Sequence, residues 1–276
     1  MKRCLLLCSL CMLVLFGCGA MKSSQDPDFL LLKNYEWNWQ QVGDTDMQTA
    51  SASIDVFSRK QFISILRMPL RNHTFSVVDA GGPAADITSS LAKSQGAAAA
   101  INGSYFNMKT LWPVTFVKDE GEVVCNETTD KFVRNNGLIL LDGSRLDIVS
   151  VDPSDCEKVA GNWREALGAG PVLLEEGRVL HYCSGQDPET KSIPIDAASY
   201  QRVFSKLHPR TILGYTKSGW VYMIVVDGRF PGQGEGMSVD ELQILSRALG
   251  LYECINLDGG GSCSLWVDGL GVLNHP

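Results

Sequence analysis

Basic residues are scarce in this sequence. Its 24 lysines and arginines are outnumbered by 31 aspartates and glutamates, which gives the 276 residues a formal net charge of −7. Proteins that bind nucleic acid usually present a basic surface, so no nucleic-acid partner is expected. The sequence also has no Pro/Gly/Ser-rich linker, and we therefore predict one large globular domain.

Cysteines with the spacing of a metal site are missing from the body of the chain. Five cysteines follow residue 18, and no C-x-x-C occurs among them. An odd number cannot all pair, so we expect buried thiols with at most a disulfide or two, no zinc and no cofactor. Calcium on the clustered carboxylates of Asp227 and Asp258 stays open as an alternative, although no Asp-x-Asp-x-Asp-Gly loop is present.

Two glycine-dependent catalytic patterns are also missing. Gly-x-Ser-x-Gly, which surrounds the nucleophile of many serine hydrolases, does not occur, and the string around Ser262 is Gly-Gly-Ser-Cys-Ser. The same glycine run lacks the Lys-Ser/Thr pair of a nucleotide-binding P-loop. We therefore exclude a P-loop protein and discount a serine hydrolase.

The amino terminus has the pattern of a bacterial lipoprotein signal. Lys2 and Arg3 precede an apolar run, Leu5–Phe16, that is shorter than the roughly 20 residues of a membrane span. Leu-x-Gly-Cys ends the run, which predicts a signal peptide over 1–17, lipidation of Cys18, a polar tether over 18–28 and a domain over 29–276. The protein would be held at the periplasmic or outer surface of a bacterial envelope. An ordinary signal peptide is the alternative.

Short apolar segments bounded by turn residues recur along the chain and predict a sheet-rich fold. Tight turns such as 118–121 and 217–219 favour antiparallel hairpins. The expected fold class is α+β, with helices packed on a mixed, largely antiparallel sheet. The predicted strands are Phe62–Leu66, Thr74–Val78, Ala98–Ile101, Val114–Val117, Gly137–Leu141, Pro171–Leu174 and Val221–Val226.

Four segments are predicted to be helical, and one has clear end signals. Ser238 and Glu241 have the spacing of a capping box, and Gly250 supplies a left-handed terminator for a helix over Ser238–Leu249. The other predicted helices are Pro83–Ser94, Asn162–Leu167 and Asp196–Lys206.

A hairpin of two apolar strands carries the first candidate site. Asp227 directly follows the strand that ends at Val226, where partial burial can tune a carboxyl pKa. Arg210 begins one strand and Arg229 follows the other, so antiparallel pairing brings these ends together. Two guanidinium groups beside one carboxylate would form a phosphate clamp. A structural Asp–Arg ion pair is the alternative.

Three consecutive glycines carry the second candidate site. Asn256-Leu257-Asp258 leads into Gly259, Gly260 and Gly261, with Ser262 next. Such a run costs roughly 0.5 to 1 kcal/mol per glycine relative to alanine, so a mere connection is a poor explanation. Its N–H groups could hold an anion beside the Asp258 carboxylate and the Ser262 hydroxyl.

Two further segments follow predicted strands. Asn102 and Gly103 could contact a sugar or phosphate through the amide and the accessible backbone, or could form only a turn. Gly170 lies in a Gly-Ala-Gly-Pro segment that could line a cleft, or its glycines could only relieve crowding at a strand end.

Together these segments resemble the phosphodiester glycosidase family, over roughly Ala97 to the carboxyl end. Tyr105 fills a position that varies in that family, and members generally run on beyond the segment that corresponds to Val272–Pro276. The Asn-Leu-Asp-Gly-Gly-Gly-Ser string is the most specific part. The resemblance rests on Asn102-Gly103 with Phe106, Gly170-Pro171, Arg210-Thr211 with Gly214, Asp227-Gly228-Arg229, Gly236-Met237 and 256–262.

The resemblance implies hydrolysis of a sugar-1-phosphodiester, as with N-acetylglucosamine, into a free sugar and a phosphomonoester. Asp227 and Asp258 would be catalytic, since paired carboxylates serve glycosidases. The remaining residues would bind the phosphorylated glycan: Asn102, Gly103, Gly170, Arg210, Thr211, Arg229, Asn256, Gly259, Gly260, Gly261 and Ser262. Two alternatives stay open: a non-catalytic surface module that binds anionic glycans, and a glycosidase for substrates without phosphate.

Overall fold

A computed structural model describes residues 26–80, 86–127, 134–185 and 192–275. The expected signal peptide and Cys18 lie outside these ranges. Helix α1 (Pro27–Lys33) begins with the last two residues assigned to the tether, and Asp26 caps it by accepting N–H bonds from Asp28 and Phe29.

An eight-stranded antiparallel sheet lies at the centre of the fold. With strands numbered in chain order, it runs from edge to edge as β1 (Gln40–Gln41), β2 (Gln48–Val56), β3 (Arg59–Pro69), β15 (Trp220–Val226), β14 (Arg210–Thr216), β16 (Leu251–Asn256), β10 (Val172–Glu175) and β11 (Arg178–Val179).

Three smaller sheets accompany it. The five-stranded sheet is β6 (Glu122–Cys125), β5 (Val117–Asp119), β9 (Glu165–Ala169), β7 (Gly137–Asp142) and β8 (Arg145–Ser150). The three-stranded sheet is β18 (Gly271–Val272), β17 (Leu265–Val267) and β4 (Ala99–Ile101). A parallel pair consists of β12 (Tyr182–Ser184) and β13 (Ile193–Ile195).

The remaining helices are short except for one. They are α2 (Thr88–Ser94), α3 (Cys156–Ala160), α4 (Ala197–Ser199), which continues as a π-helix over Tyr200–Ser205, and α5 (Val239–Ala248). No helix among the described residues combines the length and apolar composition needed to cross a bilayer.

The central sheet is covered on both faces because its strands alternate. In β15, Ile224 and Val226 join the apolar cluster that contains Leu242 and Leu245 of α5. Val221 and Val225 point the other way, into a second cluster with residues of β7, β8 and β17. This period-two burial is what a strand between two packed layers requires.

The α+β, largely antiparallel fold class is confirmed, and so are most elements. The strands predicted over Phe62–Leu66, Ala98–Ile101, Gly137–Leu141, Pro171–Leu174 and Val221–Val226 coincide with β3, β4, β7, β10 and β15. Helix α5 has the expected capping box, in which the Ser238 N–H donates to Glu241 at 2.9 Å, and Gly250 follows it with φ +76°. The helical segment 197–205 lies within the predicted Asp196–Lys206.

Several predicted elements differ from the structure. Asn162–Leu167 is not helical, because β9 begins at Glu165 and pairs with both β5 and β7. Thr74–Val78 is not a strand, since the Val77 N–H donates to the Glu165 carboxylate instead of to a neighbouring strand. Of the predicted strand Val114–Val117, only the last residue belongs to a strand, β5. The predicted helix Pro83–Ser94 is helical over Thr88–Ser94, and its residues 83–85 lie outside the described ranges.

Candidate active site

Pairing of β4 with β17 brings the Asn-Gly segment to the glycine loop. Ile101 lies opposite Leu265 in this antiparallel pair, and the Asn102 N–H donates to the Ser264 carbonyl at 3.1 Å. Asn102 follows β4, while the glycine run 259–261 precedes β17. The two segments therefore meet at one edge of the sheet, although about 160 residues separate them in sequence.

Asn102 uses its amide to hold this edge together. Its Nδ2 donates to the Asp258 carbonyl at 3.0 Å, and its Oδ1 accepts from the Thr211 hydroxyl at 2.7 Å and the Ser264 N–H at 3.0 Å. Asn102 is 8% exposed and Thr211 is fully buried. Both side chains position the loop, and their contact with substrate stays a prediction. The exposed Gly103 carbonyl accepts the Asp258 N–H bond at 3.2 Å.

Asn256 and Gly170 have a similar supporting role beneath the site. Asn256 is 1% exposed and donates to the Tyr105 hydroxyl at 2.9 Å and to the Gly170 carbonyl at 3.1 Å. The Tyr105 hydroxyl donates to the same carbonyl at 2.7 Å. The Asn256 Nδ2 and the Gly170 carbonyl are bonded within the protein, whereas the buried Asn256 Oδ1 has no hydrogen-bond partner in the described part of the chain. The assignment of both residues as substrate ligands stays a prediction.

The glycine loop packs tightly against the chain before β14. The Gly260 N–H donates to the Pro209 carbonyl at 3.0 Å, and a Cβ on Gly259 would lie 2.7 Å from that oxygen. The Gly259 N–H donates to the Asp258 carboxylate at 2.8 Å. Since two of the three N–H groups are used internally, the expected anion cradle is reduced to the surface at Gly261, which is exposed and has open space beside it.

Arg229 lies directly over this loop. A Cβ on Gly260 would be 2.9 Å from Arg229 Nη2, and the φ of +67° at this position favours glycine. Arg229 is exposed and itself has a positive φ of +68°. The corner after β15 and the glycine triplet thus converge.

Opposing effects act on the pKa of the Asp258 carboxyl group. Burial raises its pKa, while hydrogen bonds from Ser262 and the Gly259 N–H and the charge of Arg134 oppose that rise. Arg134 also lies 5.3 Å from the centre of the Tyr105 ring. Arg134 was not among the predicted site residues. The signal that could have indicated it is the polar string 134–136 directly before the apolar strand β7.

Asp227 directly follows β15 as expected, and its carboxylate faces the carboxyl-terminal segment. It is 2% exposed, and its carboxylate accepts the His275 N–H at 3.1 and 3.2 Å and His275 Nδ1 at 2.7 Å. Burial raises the pKa of Asp227, and the bonds to His275 oppose this rise. Sequence reasoning also missed His275, because no pattern along the chain links it to Asp227.

Arg210 does not take part in a clamp around Asp227. Its Nε donates to the Met237 carbonyl at 3.0 Å, and its Nη2 donates to the carbonyls of Val203 at 2.6 Å and Lys206 at 3.1 Å. Arg210 is 4% exposed, and burial lowers its pKa to about 10, which leaves it charged at neutral pH. Arg210 thus fastens the end of the helical segment 197–205 to the strand, and its contact with a phosphate stays a prediction.

The described part of the chain contains no cluster of metal ligands and no disulfide. Within it, no group of three or more His, Cys, Asp or Glu side chains is placed to hold a metal ion. The five cysteines after residue 18 are all buried free thiols: Cys125, Cys156, Cys183, Cys254 and Cys263.

Comparison with known proteins identifies a family. The family model described as phosphodiester glycosidase matches residues 95–276. The N-acetylglucosamine-1-phosphodiester alpha-N-acetylglucosaminidase of Bos taurus is 23% identical over 224 residues, which are 77% of this chain and 40% of the bovine protein. The chain thus spans less than half the length of that relative.

Solved structures share the fold. The zebrafish N-acetylglucosamine-1-phosphodiester alpha-N-acetylglucosaminidase catalytic domain, auto-inhibited by its pro-peptide, matches with a TM-score of 0.65 and 20% identity over 87% of this chain and 80% of that chain. A Synechocystis protein gives 0.57 and 14% over 83% and 59%, respectively. A putative exported protein of Burkholderia pseudomallei gives 0.56 and 14% over 79% and 71%.

Replacing Arg210 by Met should destabilise the protein. The Val203 and Lys206 carbonyls would lose the donor that Arg210 supplies, and the Met237 carbonyl would keep only the bond from the His208 N–H at 3.4 Å, so we expect the free energy of unfolding to fall by about 2 to 4 kcal/mol. Urea denaturation measures this loss. Arg229→Met is the matched control, since Arg229 is exposed, and it should change stability by less than about 0.5 kcal/mol. Equal losses in the two variants would contradict the structural role of Arg210.

Replacing Ser262 by Ala should raise the pKa of Asp258. The Ser262 hydrogen bond stabilises the carboxylate, so without it the charged form is lost at a higher pH as the solution is acidified. Carboxyl carbon NMR titration measures the midpoint. Ser264→Ala, two residues along the same loop, is the control and should leave the midpoint unchanged. A midpoint that stays fixed or falls in Ser262→Ala would contradict the assigned hydrogen bond.

Proposed function

The chain belongs to the phosphodiester glycosidase family, and on that premise we propose that it hydrolyses a sugar-1-phosphodiester of the N-acetylglucosamine 1-phosphodiester type. The products are a free sugar and a phosphomonoester. Enzymes of this type are hydrolases that act on phosphodiester glycosidic linkages. The sugar, its phosphodiester partner and the assignment of residues below are parts of the proposal.

One observation carries the proposal: the Arg229 guanidinium lies against Gly260, within the same loop that holds the Asp258 carboxylate. A sugar-1-phosphodiester has the complementary order of charges, with an anionic phosphate next to an anomeric carbon that becomes cationic during cleavage. Arg229 would bind the phosphate oxygens through its planar fork, while the open surface at Gly261 lets the ligand approach the backbone.

Asp258 would act on the sugar side of the bond. As the bond between the anomeric carbon and the phosphate oxygen stretches, the sugar gains oxocarbenium character and the phosphate gains negative charge. The Asp258 carboxylate stabilises the first charge and Arg229 the second, so both interactions strengthen towards the transition state. A phosphate is a good leaving group, and the demand for a general acid is correspondingly small.

The proposed location of the protein rests on the pattern of its amino-terminal sequence. We keep the proposal that Cys18 carries a lipid anchor and that the domain is exposed to the bacterial envelope, where phosphodiester-linked glycans would be its substrates. Both the signal and Cys18 precede the described residues, so support for this proposal comes from the sequence alone. The mass of the mature amino-terminal peptide would test it.

Changing Asp258 to Asn should lower the rate of sugar release by at least about a hundredfold, because a carboxylate that assists glycosidic cleavage loses its charge. The measurement is kcat on a sugar-1-phosphodiester at neutral pH. Asp119→Asn is the matched control, since that carboxyl is also partly buried but lies in β5, outside the site. Unchanged turnover in Asp258→Asn would remove the residue from the mechanism.

A second comparison separates the proposed function from the two alternatives. Arg229→Met should slow hydrolysis of the phosphodiester far more than hydrolysis of a neutral aryl glycoside of the same sugar. Similar losses on both substrates would favour a glycosidase without a phosphate requirement. Calorimetric binding of a phosphodiester glycan that is recovered intact would favour a non-catalytic binding module.

A further inference from the structure

His275 and Asp227 form a pair in which one partner is buried and the other faces solvent. The Asp227 carboxylate is bonded to both the backbone N–H and the ring Nδ1 of His275, the latter at 2.7 Å. The Asp227 side chain is 2% exposed, whereas the His275 side chain is 69% exposed. A ligand in the site can therefore reach the imidazole but not the carboxylate behind it.

The segment that carries His275 lies between the two corners of the site. Asn274, its neighbour, donates to the Cys263 carbonyl at 3.0 Å and accepts from the Leu265 N–H at 2.8 Å, directly after the glycine loop. Burial raises the pKa of the Cys263 thiol, and the charges of Asp258 and Asp227 add to this rise. His275 is thus anchored to the Asp227 corner on one side and to the glycine-loop segment on the other.

The orientation of the ring is fixed. Phe62 contacts the imidazole edge to face, with the ring centres 4.9 Å apart. An ionised Asp227 requires a proton on Nδ1 for the 2.7 Å hydrogen bond, and in a neutral imidazole this leaves the lone pair on Nε2. Within the described part of the chain, Asp227 and Phe62 contact the ring. They leave an acceptor nitrogen on a side chain that is 69% exposed.

We propose that His275 is the general base of the hydrolysis and that Asp227 is the residue that positions it. The inference rests on the proposed function. His275 Nε2 takes a proton from water while the water oxygen bonds to the anomeric carbon. The bond from that carbon to the phosphate oxygen breaks, and its electron pair stays on the phosphate. The imidazolium then gives the proton to the departing phosphomonoester or to solvent, which restores the base.

This division resolves the roles of the two aspartates. Asp258 lies beside Arg229 and the open glycine surface, where it can face the sugar. Asp227 is enclosed, so its negative charge acts through the imidazole by holding the Nδ1 tautomer and stabilising the imidazolium. An Asp227→Asn change would place an amide donor or a neutral oxygen against Nδ1 and would weaken both effects.

The experiment uses the full chain and the methyl phosphodiester of N-acetylglucosamine 1-phosphate. His275→Asn is the main variant, since its amide can keep the hydrogen bond to Asp227 while removing the Nε2 acceptor. We expect kcat to fall by at least about a hundredfold, in the range of general-base losses, with an unchanged thermal midpoint. Imidazole added to His275→Gly should restore part of the rate. His73→Asn is the control, because His73 forms a comparable pair with Asp46 away from the site.

Each outcome decides the matter. Loss of rate in His275→Asn with rescue of His275→Gly by imidazole supports the base. A His275→Asn variant that keeps the rate of the unchanged protein overturns the inference and leaves the proposed function standing, as does a folded His275→Gly variant that imidazole fails to rescue. No sugar release by the unchanged protein on a panel of sugar-1-phosphodiesters overturns both.

Discussion

The amide of Asn102 ties together the three parts of the chain that form the site. It forms hydrogen bonds with the Asp258 carbonyl in the glycine loop, with the Thr211 hydroxyl in β14 and with the Ser264 N–H directly before β17. A buried amide is stable only when donor and acceptor are both satisfied, so these partners fix one arrangement of the loop. The position of Asp258, and of Arg229 above Gly260, follows from it.

Polar residues at this edge of the sheet divide into two sets by burial. Thr211, Asn256 and Arg210 are almost completely removed from solvent, and each is held by hydrogen bonds within the protein. These bonds offset most of the desolvation cost and make a rigid support, although the buried Asn256 Oδ1 has no hydrogen-bond partner in the described part of the chain. Arg229 and His275 are exposed above that support and can contact a ligand. The buried residues beneath them hold these exposed side chains in position.

Local signals and strand ends could be predicted from the sequence, whereas long-range partners could not. The Ser238–Glu241 capping box works within one helical turn, and the Asp227 and glycine corners are marked by polar residues directly after apolar strands. Asn162–Leu167 was wrong because two neighbouring strands, β5 and β7, decide its conformation. The partners of Arg210 could not be predicted, because its carbonyl acceptors come from the π-helical segment 200–205 and from Lys206 and Met237, and no local pattern marks them.

The buried Arg210 also bears on how an acidic protein binds an anionic substrate. Its guanidinium is bonded to neutral carbonyls, so its positive charge is not cancelled by those partners. Burial lowers the pKa of His208, and the charges of Arg210, Arg229 and Lys206 add to this effect next to Pro209, which supports the glycine loop. A net charge of −7 repels phosphate at long range, whereas Arg229 supplies a positive charge directly against Gly260.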